Sequence, residues 1–186
     1  MNIAIIIAGG VGSRMGQDLP KQFINVYDKP VLLYTLEGFQ KHPQIDAIEL
    51  VCIDGWHEIV WAYAKQFNIT KLKWIVSGGK TGQESIRNGV YGLEGKANPD
   101  DNIIIHDGIR PLVEPSVLSD VISKCSQYGN AVTSMPLSLT TWLSLKVPLC
   151  LSIPSTKVVL PWSTWAIMAM FLKSSLIIFP PSFIHT

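Results

Sequence analysis

The amino-acid sequence predicts an α/β fold, a three-layer sandwich built on a mainly parallel sheet. Segments of strand character alternate with segments of helical character from the N-terminus to about residue 135, and such alternation favours parallel pairing through right-handed crossovers. Residues 3–7 and 103–105 are continuous apolar runs, as expected of strands covered on both faces. Glycine-containing loops follow three of the strands, at 9–16, 77–82 and 106–111.

Each element has its own signal. Apolar runs predict strands, in order, at residues 3–7, 47–53, 73–76, 103–105 and 131–135. Apolar residues at helical spacing, such as Leu32, Leu36 and Phe39, predict helices at 31–39, 58–67, 83–93 and 115–128. Pro20 bars the residue before it from helical geometry, which fits a loop between the first strand and the first helix. Because ligands bind beyond the carboxyl ends of parallel strands, the rim where the three glycine loops converge is the predicted site.

Composition excludes several classes of function. The 186-residue chain is long enough for one domain with a substantial core. Its formal net charge is +1 and it has no Lys/Arg run, which argues against a nucleic-acid partner. Cys52, Cys125 and Cys150 are widely spaced, so neither a zinc site nor a disulfide framework is indicated. Reduced thiols, and an apolar start that is too short for a signal peptide, predict a cytoplasmic protein.

The first glycine loop has the composition of a phosphate-binding loop. Glycines allow backbone N–H groups to approach phosphate oxygens, and Arg14 and Lys21 would add positive charge against a triphosphate. The GxxxxGK[ST] pattern is excluded because no Gly-Lys-Ser/Thr follows, and GxGxxG is excluded because Met15 occupies the third glycine position. The alternative for such a loop is a tight turn that binds nothing.

Three motifs occur in order: AGGxGxRMGxxxPKQF from Ala8, GGxxxxxSI from Gly78 and HDxxRP from His106. Together they resemble the methylerythritol-phosphate cytidylyltransferase family and the closely related ribitol-5-phosphate cytidylyltransferases, over about residues 1–136. The resemblance implies a Rossmann-like nucleotidyltransferase sandwich that joins CTP to a phosphorylated polyol and releases pyrophosphate. The expected acceptor is 2-C-methyl-D-erythritol 4-phosphate, for isoprenoid biosynthesis, and the alternative is ribitol 5-phosphate.

The resemblance also implies roles for individual residues. Arg14 and Lys21 would be the catalytic cations that stabilise charge at the α-phosphate. Asp107 would bind Mg²⁺, for which a single carboxylate suffices when CTP supplies further oxygens, and Arg110 would bind the acceptor phosphate. The remaining matched residues would bind the nucleotide: Ala8, Gly9, Gly10, Gly12 and Gly16 at the phosphates, and Gly78, Gly79 and Ser85 at the cytosine. Lys80 departs from the acidic residue that many members carry at its position.

The chain changes character near Pro136. All fourteen acidic residues lie at or before Asp120, and residues 137–186 contain only three charged side chains, all lysines. The sequence therefore predicts a nucleotidyltransferase domain at 1–136 and an atypical apolar tail at 137–186. A shifted reading frame is the favoured interpretation of the tail, genuine divergence is the second, and membrane attachment through residues 158–172 is the weakest, because that run is short and contains Pro161.

Two functions from other classes stay open. A truncated, catalytically inactive module would bind CTP and release no pyrophosphate. An NAD-type oxidoreductase is opposed by Met15 and by the Pro-Lys-Gln step. The family resemblance implies a homodimer, but the dimerisation arm expected after Pro136 does not appear in the sequence, so a dimer is not predicted for this chain.

Overall fold

A computed structural model of the chain describes residues 1–10, 19–133 and 176–179. Its strands are β1 (Asn2–Ala8), β2 (Asn25–Val26), β3 (Lys29–Pro30), β4 (Ala47–Cys52), β5 (Leu72–Ser77), β6 (Asn102–Asp107), β7 (Ala131–Thr133) and β8 (Leu176–Phe179). Its α-helices are α1 (Val31–Lys41), α2 (His57–Gln66), α3 (Gly82–Gly92) and α4 (Pro115–Tyr128). A 3-10 turn spans Lys21–Phe23.

The central sheet has six strands in the order β5-β4-β1-β6-β8-β7. The first four are mutually parallel, and β8 runs antiparallel to both β6 and β7. The register places Ala8 beside Cys52, Cys52 beside Ser77, and Ile7 beside Asp107. The carboxyl ends of β1, β4, β5 and β6 therefore share one edge, and the predicted mainly parallel α/β fold is confirmed.

Alternation along β1 divides the core between the two faces of the sheet. Ala4 and Ile6 face a large apolar cluster that includes residues of α1, α2 and α4. Ile3 and Ile5 face a smaller cluster that includes Val90 of α3. Because successive strand side chains point to opposite faces, one strand serves both clusters, and helices cover both faces. This is the predicted three-layer sandwich.

The end of α4 illustrates how local sequence sets the element boundaries. Pro115 occupies the first turn of the helix, where its missing N–H costs no hydrogen bond. Gly129 ends the helix in the left-handed conformation, with φ at 86°, and its N–H donates to the Cys125 carbonyl at 2.8 Å. Glycine adopts this conformation without a steric penalty, so the helix stops before β7.

Two parts of the structure go beyond the sequence prediction. The β2–β3 hairpin was not predicted, since its turn places Tyr27 rather than a glycine at positive φ. Residues 176–179, which lie inside the predicted tail, form β8 in the central sheet, between β6 and β7. The domain division at residue 136 stays a prediction. Residues 158–172 lie outside the described part of the chain, and within that part no helix is long and apolar enough to cross a membrane.

Candidate functional site

The site lies at the carboxyl edge of the parallel strands, where the first two glycine loops touch. A methyl group on Gly78 would lie 2.8 Å from the Gly9 Cα atom, and one on Gly9 would lie 2.9 Å from the Gly78 Cα atom. Both distances are too short for any side chain, so the two backbones approach as closely as only glycine permits. The Gly78 N–H donates to the Cys52 carbonyl at 2.7 Å, which fixes this contact to the end of β4.

Ser85 of α3 is hydrogen-bonded to the backbone of the second glycine loop. Its hydroxyl oxygen accepts from the Gly79 N–H at 2.9 Å and its O–H donates to the Thr81 carbonyl at 3.0 Å. The residue is buried, with 3% of its surface exposed. The structure thus shows Ser85 bonding to the backbone of the loop, and the cytosine contact implied by the family resemblance stays a prediction.

The N-terminus of α3 carries a cap that the sequence analysis overlooked. The Thr81 hydroxyl oxygen accepts from the Glu84 N–H at 3.1 Å, and a Glu84 carboxylate oxygen accepts from the Lys80 N–H at 2.7 Å. A threonine followed three residues later by a glutamate is the sequence signal of such a cap. Lys80, the residue that departs from the family pattern, is therefore held by its backbone at the entrance to the helix.

Lys21 lies on a short segment that is fastened to the first glycine loop. The next residue, Gln22, is buried, and its amide nitrogen donates to the Ala8 carbonyl at 2.7 Å and to the Gly10 carbonyl at 3.1 Å. Phe23 stacks on Trp56 with the ring centroids 4.1 Å apart. The Pro-Lys-Gln step was predicted to belong to the site, but no role was predicted for Gln22.

The third loop brings Asp107 and Arg110 together. Arg110 Nε donates to Asp107 Oδ2 at 2.7 Å, and the two side chains are 36% and 44% exposed. His106, which is buried against Phe39, lies with Nε2 3.0 Å from the Arg110 carbonyl oxygen and donates to it. A methyl group on Gly108 would lie 3.1 Å from the Ile7 carbonyl oxygen. The turn is thus packed tightly against the end of β1 and holds both charged side chains at the rim.

The structure therefore gathers part of the predicted site and leaves part outside its described residues. Ala8, Gly9 and Gly10 begin the first loop, and Lys21 is half-buried on the segment that returns to it. The other two loops supply Gly78, Gly79, Ser85, Asp107 and Arg110. The predicted residues Gly12, Arg14 and Gly16 lie outside the described residues.

The donor set of the described rim fits Mg²⁺ better than a metal held by protein alone. Among the described residues no group of three His, Cys, Asp or Glu side chains could hold a metal ion. Asp107 is one partly exposed carboxylate, and the bond from Arg110 engages only its Oδ2 atom, whereas a carboxylate can accept at about four positions. Mg²⁺ commonly takes one or two carboxylates and completes its shell with water and substrate phosphates.

A buried carboxyl lies between β4 and α3. Glu49 of β4 is fully buried, and within the described part of the chain neither of its carboxylate oxygens has a hydrogen-bond partner. Room for it comes from α3, where a methyl group on Gly92 would lie 2.9 Å from Glu49 Oε1. Burial raises the pKa of Glu49 from 4.5 to about 7, and the positive charge of Lys96 acts in the opposite direction.

Comparison with known proteins identifies the relatives of this chain. The model of the 2-C-methyl-D-erythritol 4-phosphate cytidylyltransferase family matches residues 2–149. The ribitol-5-phosphate cytidylyltransferase of Lacticaseibacillus paracasei is 55% identical over 136 residues, which cover 73% of this chain and 58% of the relative. The 2-C-methyl-D-erythritol 4-phosphate cytidylyltransferase of Clostridium botulinum is 38% identical over 130 residues, covering 70% of this chain and 56% of the relative.

A solved structure of 4-diphosphocytidyl-2C-methyl-D-erythritol synthase resembles this fold with a TM-score of 0.59 and 27% sequence identity. The matched region covers 74% of this chain and 59% of that protein. The chain thus spans less than two-thirds of the length of the relatives that it matches. Residues 2–149, which the family model matches, include all three glycine loops.

Proposed function

This chain belongs to the 2-C-methyl-D-erythritol 4-phosphate cytidylyltransferase family, and from that premise we propose that it transfers a cytidylyl group from CTP to a phosphorylated polyol. An acceptor phosphate oxygen forms a bond to the α-phosphorus of CTP, the bond from that phosphorus to the bridging oxygen of the β-phosphate breaks, and pyrophosphate leaves. The observation that carries the proposal is the contact between Gly9 and Gly78 on the rim that also holds Asp107 and Arg110.

The rim offers what such a reaction needs from a protein. Phosphoryl-type transfer depends on positioning and on neutralising charge, and it needs no protein nucleophile. Backbone N–H groups of the glycine loops are suited to phosphate oxygens, and Lys21 supplies a cation on the segment beside them. We assign Arg110 to the acceptor phosphate, since its side chain is partly exposed at the same rim.

Asp107 is the residue that we propose as the protein ligand of Mg²⁺. The bound ion would neutralise the phosphate charge of CTP. The ion pair with Arg110 keeps the Asp107 carboxylate at the rim and fixes its orientation. One protein carboxylate is enough for this ion when a triphosphate provides further oxygens.

We propose ribitol 5-phosphate as the first acceptor to test. Relatives of that name are 55%, 42% and 43% identical to this chain over 136 to 137 residues. The relatives named for 2-C-methyl-D-erythritol 4-phosphate are 38% to 40% identical over 130 to 132 residues. This reverses the order of acceptors expected from the motifs, and 2-C-methyl-D-erythritol 4-phosphate is the second candidate.

The test is pyrophosphate release from CTP and Mg²⁺ by the full chain, with each acceptor and with none. Release with ribitol 5-phosphate supports the proposal, and release with 2-C-methyl-D-erythritol 4-phosphate alone would transfer it to the second acceptor. Lys21→Ala and Asp107→Asn should each lower kcat by on the order of a hundredfold or more. Lys65→Ala and Asp100→Asn, at exposed positions away from the rim, are the matched controls and should leave the rate unchanged.

The two remaining outcomes have distinct meanings. Binding of CTP without release of pyrophosphate from any acceptor would favour the nucleotide-binding module over the enzyme. Full activity of Lys21→Ala would remove that lysine from the reaction.

We further propose a cytoplasmic location, in keeping with the free thiols of Cys52 and Cys125. Whether the chain dimerises is a separate measurement, for which sedimentation of the full chain is suitable.

A further inference from the structure

We propose that Gln22 is a positioning residue, which fixes the first glycine loop and Lys21 relative to one another through two hydrogen bonds. The inference rests on the proposed function, since it concerns the CTP site at the same rim. Gln22 belongs to the Pro-Lys-Gln step of the first motif but was assigned none of the predicted site roles. Its side-chain hydrogen bonds go to Ala8 at the end of β1 and to Gly10 in the first loop.

The Gln22 side chain lies in the interior of the protein. Gln22 is only 1% exposed, in a class of residue that is usually found at the surface. Its amide nitrogen donates both available hydrogens, to the Ala8 carbonyl at 2.7 Å and to the Gly10 carbonyl at 3.1 Å. One donor is therefore used on the last residue of β1 and the other on the first loop, so the side chain constrains the point where the loop leaves the strand.

These bonds set the orientation of the peptide groups that open the loop. In a trans peptide the N–H points away from the C=O of the same unit. When Gln22 holds the Ala8 carbonyl on one side, the Gly9 N–H is turned to the opposite side. Holding the Gly10 carbonyl as well fixes the direction in which the chain leaves β1. Gly9 is the residue that meets Gly78, so the same bonds govern the contact between the two loops.

Lys21 is carried by the same segment. The Phe23 N–H donates to the Pro20 carbonyl at 2.9 Å, which closes the turn. The Phe23 ring is stacked on Trp56, so the turn is anchored on its far side to the start of α2. On its other side the turn is bonded through Gln22 to Ala8 and Gly10. The position of the Lys21 backbone is therefore coupled to the first glycine loop, which we propose binds the phosphates.

The chemistry of the two partners explains why an amide is required. Both partners are carbonyl oxygens, which only accept hydrogen bonds. A glutamate at this position would present a carboxylate, which cannot donate, and a methionine would fill the volume but leave both carbonyls without this donor. The Ala8 carbonyl is the buried one of the two. A buried carbonyl left without a donor commonly shifts an equilibrium by between about 5-fold and 150-fold.

The test compares Gln22→Met with Gln40→Met in the full chain. Gln40 is a matched control because it also makes two hydrogen bonds, donating to the Thr70 hydroxyl at 3.0 Å and accepting from the Lys71 N–H at 2.8 Å, but at the amino end of β5. The readouts are the CTP dissociation constant from calorimetry without acceptor and hydrogen exchange of the peptide spanning residues 1–10. We expect Gln22→Met to weaken CTP binding by on the order of tenfold or more and to accelerate exchange in that peptide, and Gln40→Met to change neither.

A double-mutant cycle with Lys21→Ala separates positioning from general destabilisation. If Gln22 acts by coupling Lys21 to the loop, Gln22→Met should weaken CTP binding much less in the Lys21→Ala background than in the wild type. Equal effects in both backgrounds, or a wild-type CTP affinity in a folded Gln22→Met variant, would overturn the inference. If Gln22→Met does not fold, Gln22→Asn, which keeps the donors on a shorter side chain, takes its place and the same criteria apply.

The inference fails separately from the proposed function. A wild-type chain that binds no CTP overturns the proposed function, and hydrogen exchange then still measures whether Gln22 fixes the loop. A wild-type chain that binds CTP while Gln22→Met exchanges and binds like the wild type leaves the function standing and removes Gln22 from it.

Discussion

Replacement of Glu49 by glutamine tests how a buried acid affects the stability of this fold. Glu49 lies between β4 and α3 with no hydrogen-bond partner among the described residues, and burial raises its pKa from 4.5 to about 7. In the unfolded chain the group ionises near its ordinary value, so between the two pKa values the folded state retains a proton that the unfolded state has lost. Stability from the neutral form is thus complete below about pH 4.5 and is lost as the pH rises through about 7.

The size of the effect follows from the separation of the two pKa values. A change from 4.5 to about 7 corresponds to ~3 kcal/mol in the free energy of unfolding. Lys96 is the charged group that favours the ionised form, and its influence is smaller than that of burial. We therefore expect the wild-type chain to lose ~3 kcal/mol of stability at Glu49 between about pH 4.5 and about pH 8.

The assay is urea unfolding at a series of pH values, with tryptophan fluorescence as the signal. Glu49→Gln should remove this part of the pH dependence. An amide and a carboxylic acid have different donors, and this difference offsets the variant from the wild type by a constant amount. The decisive quantity is therefore the slope of the free energy of unfolding against pH. Glu94→Gln, at an exposed position just beyond α3, should keep the wild-type slope. Identical slopes for Glu49→Gln and the wild type would refute the assignment of a neutral, buried carboxyl.

Two further predictions concern the glycine contact and the thiols. Gly78→Ala places a methyl group 2.8 Å from the Gly9 Cα atom and should lower the free energy of unfolding by ~1–3 kcal/mol. Gly38→Ala, in a helix with open space around the new methyl group, should raise the free energy of unfolding by ~0.5–1 kcal/mol. Chemical denaturation measures both changes. Burial raises the pKa of the Cys52 and Cys125 thiols to about 11. Iodoacetamide at about pH 8 should spare both in the native protein and modify both in urea, as followed by mass spectrometry; native modification would contradict their burial.

The sequence predicted the elements well because burial is nearly continuous along the central strands. Strand β4 was expected at residues 47–53 and runs from Ala47 to Cys52, with every residue buried. Glu49 is the charged residue of this strand, and its burial was not predicted because charged side chains are usually exposed. Room for that side chain depends on Gly89 and Gly92 of α3, which are distant in sequence, so no local pattern could reveal it.

The candidate site was predicted only as far as its backbone. Glycines after strand ends located the rim, because parallel strands place their carboxyl ends together. The direction of a side chain is set by tertiary packing, and this is why Gln22 was missed: its partners Ala8 and Gly10 are fourteen and twelve residues away. The hydrogen bonds of the Ser85 hydroxyl to the loop backbone were not predicted for the same reason. The cap formed by Thr81 and Glu84 was readable from spacing alone.

The position of β8 has a consequence for solubility. This strand lies between β6 and β7 and pairs with Ile103–His106, so the strand that ends in Asp107 is an interior strand. Without residues 176–179, β6 would become the border of the sheet, with a row of unpaired N–H and C=O groups flanked by isoleucine side chains. Such borders are templates for pairing with other chains. The four residues of β8 therefore cover the lateral side of β6 and keep it from pairing with the sheet of another molecule.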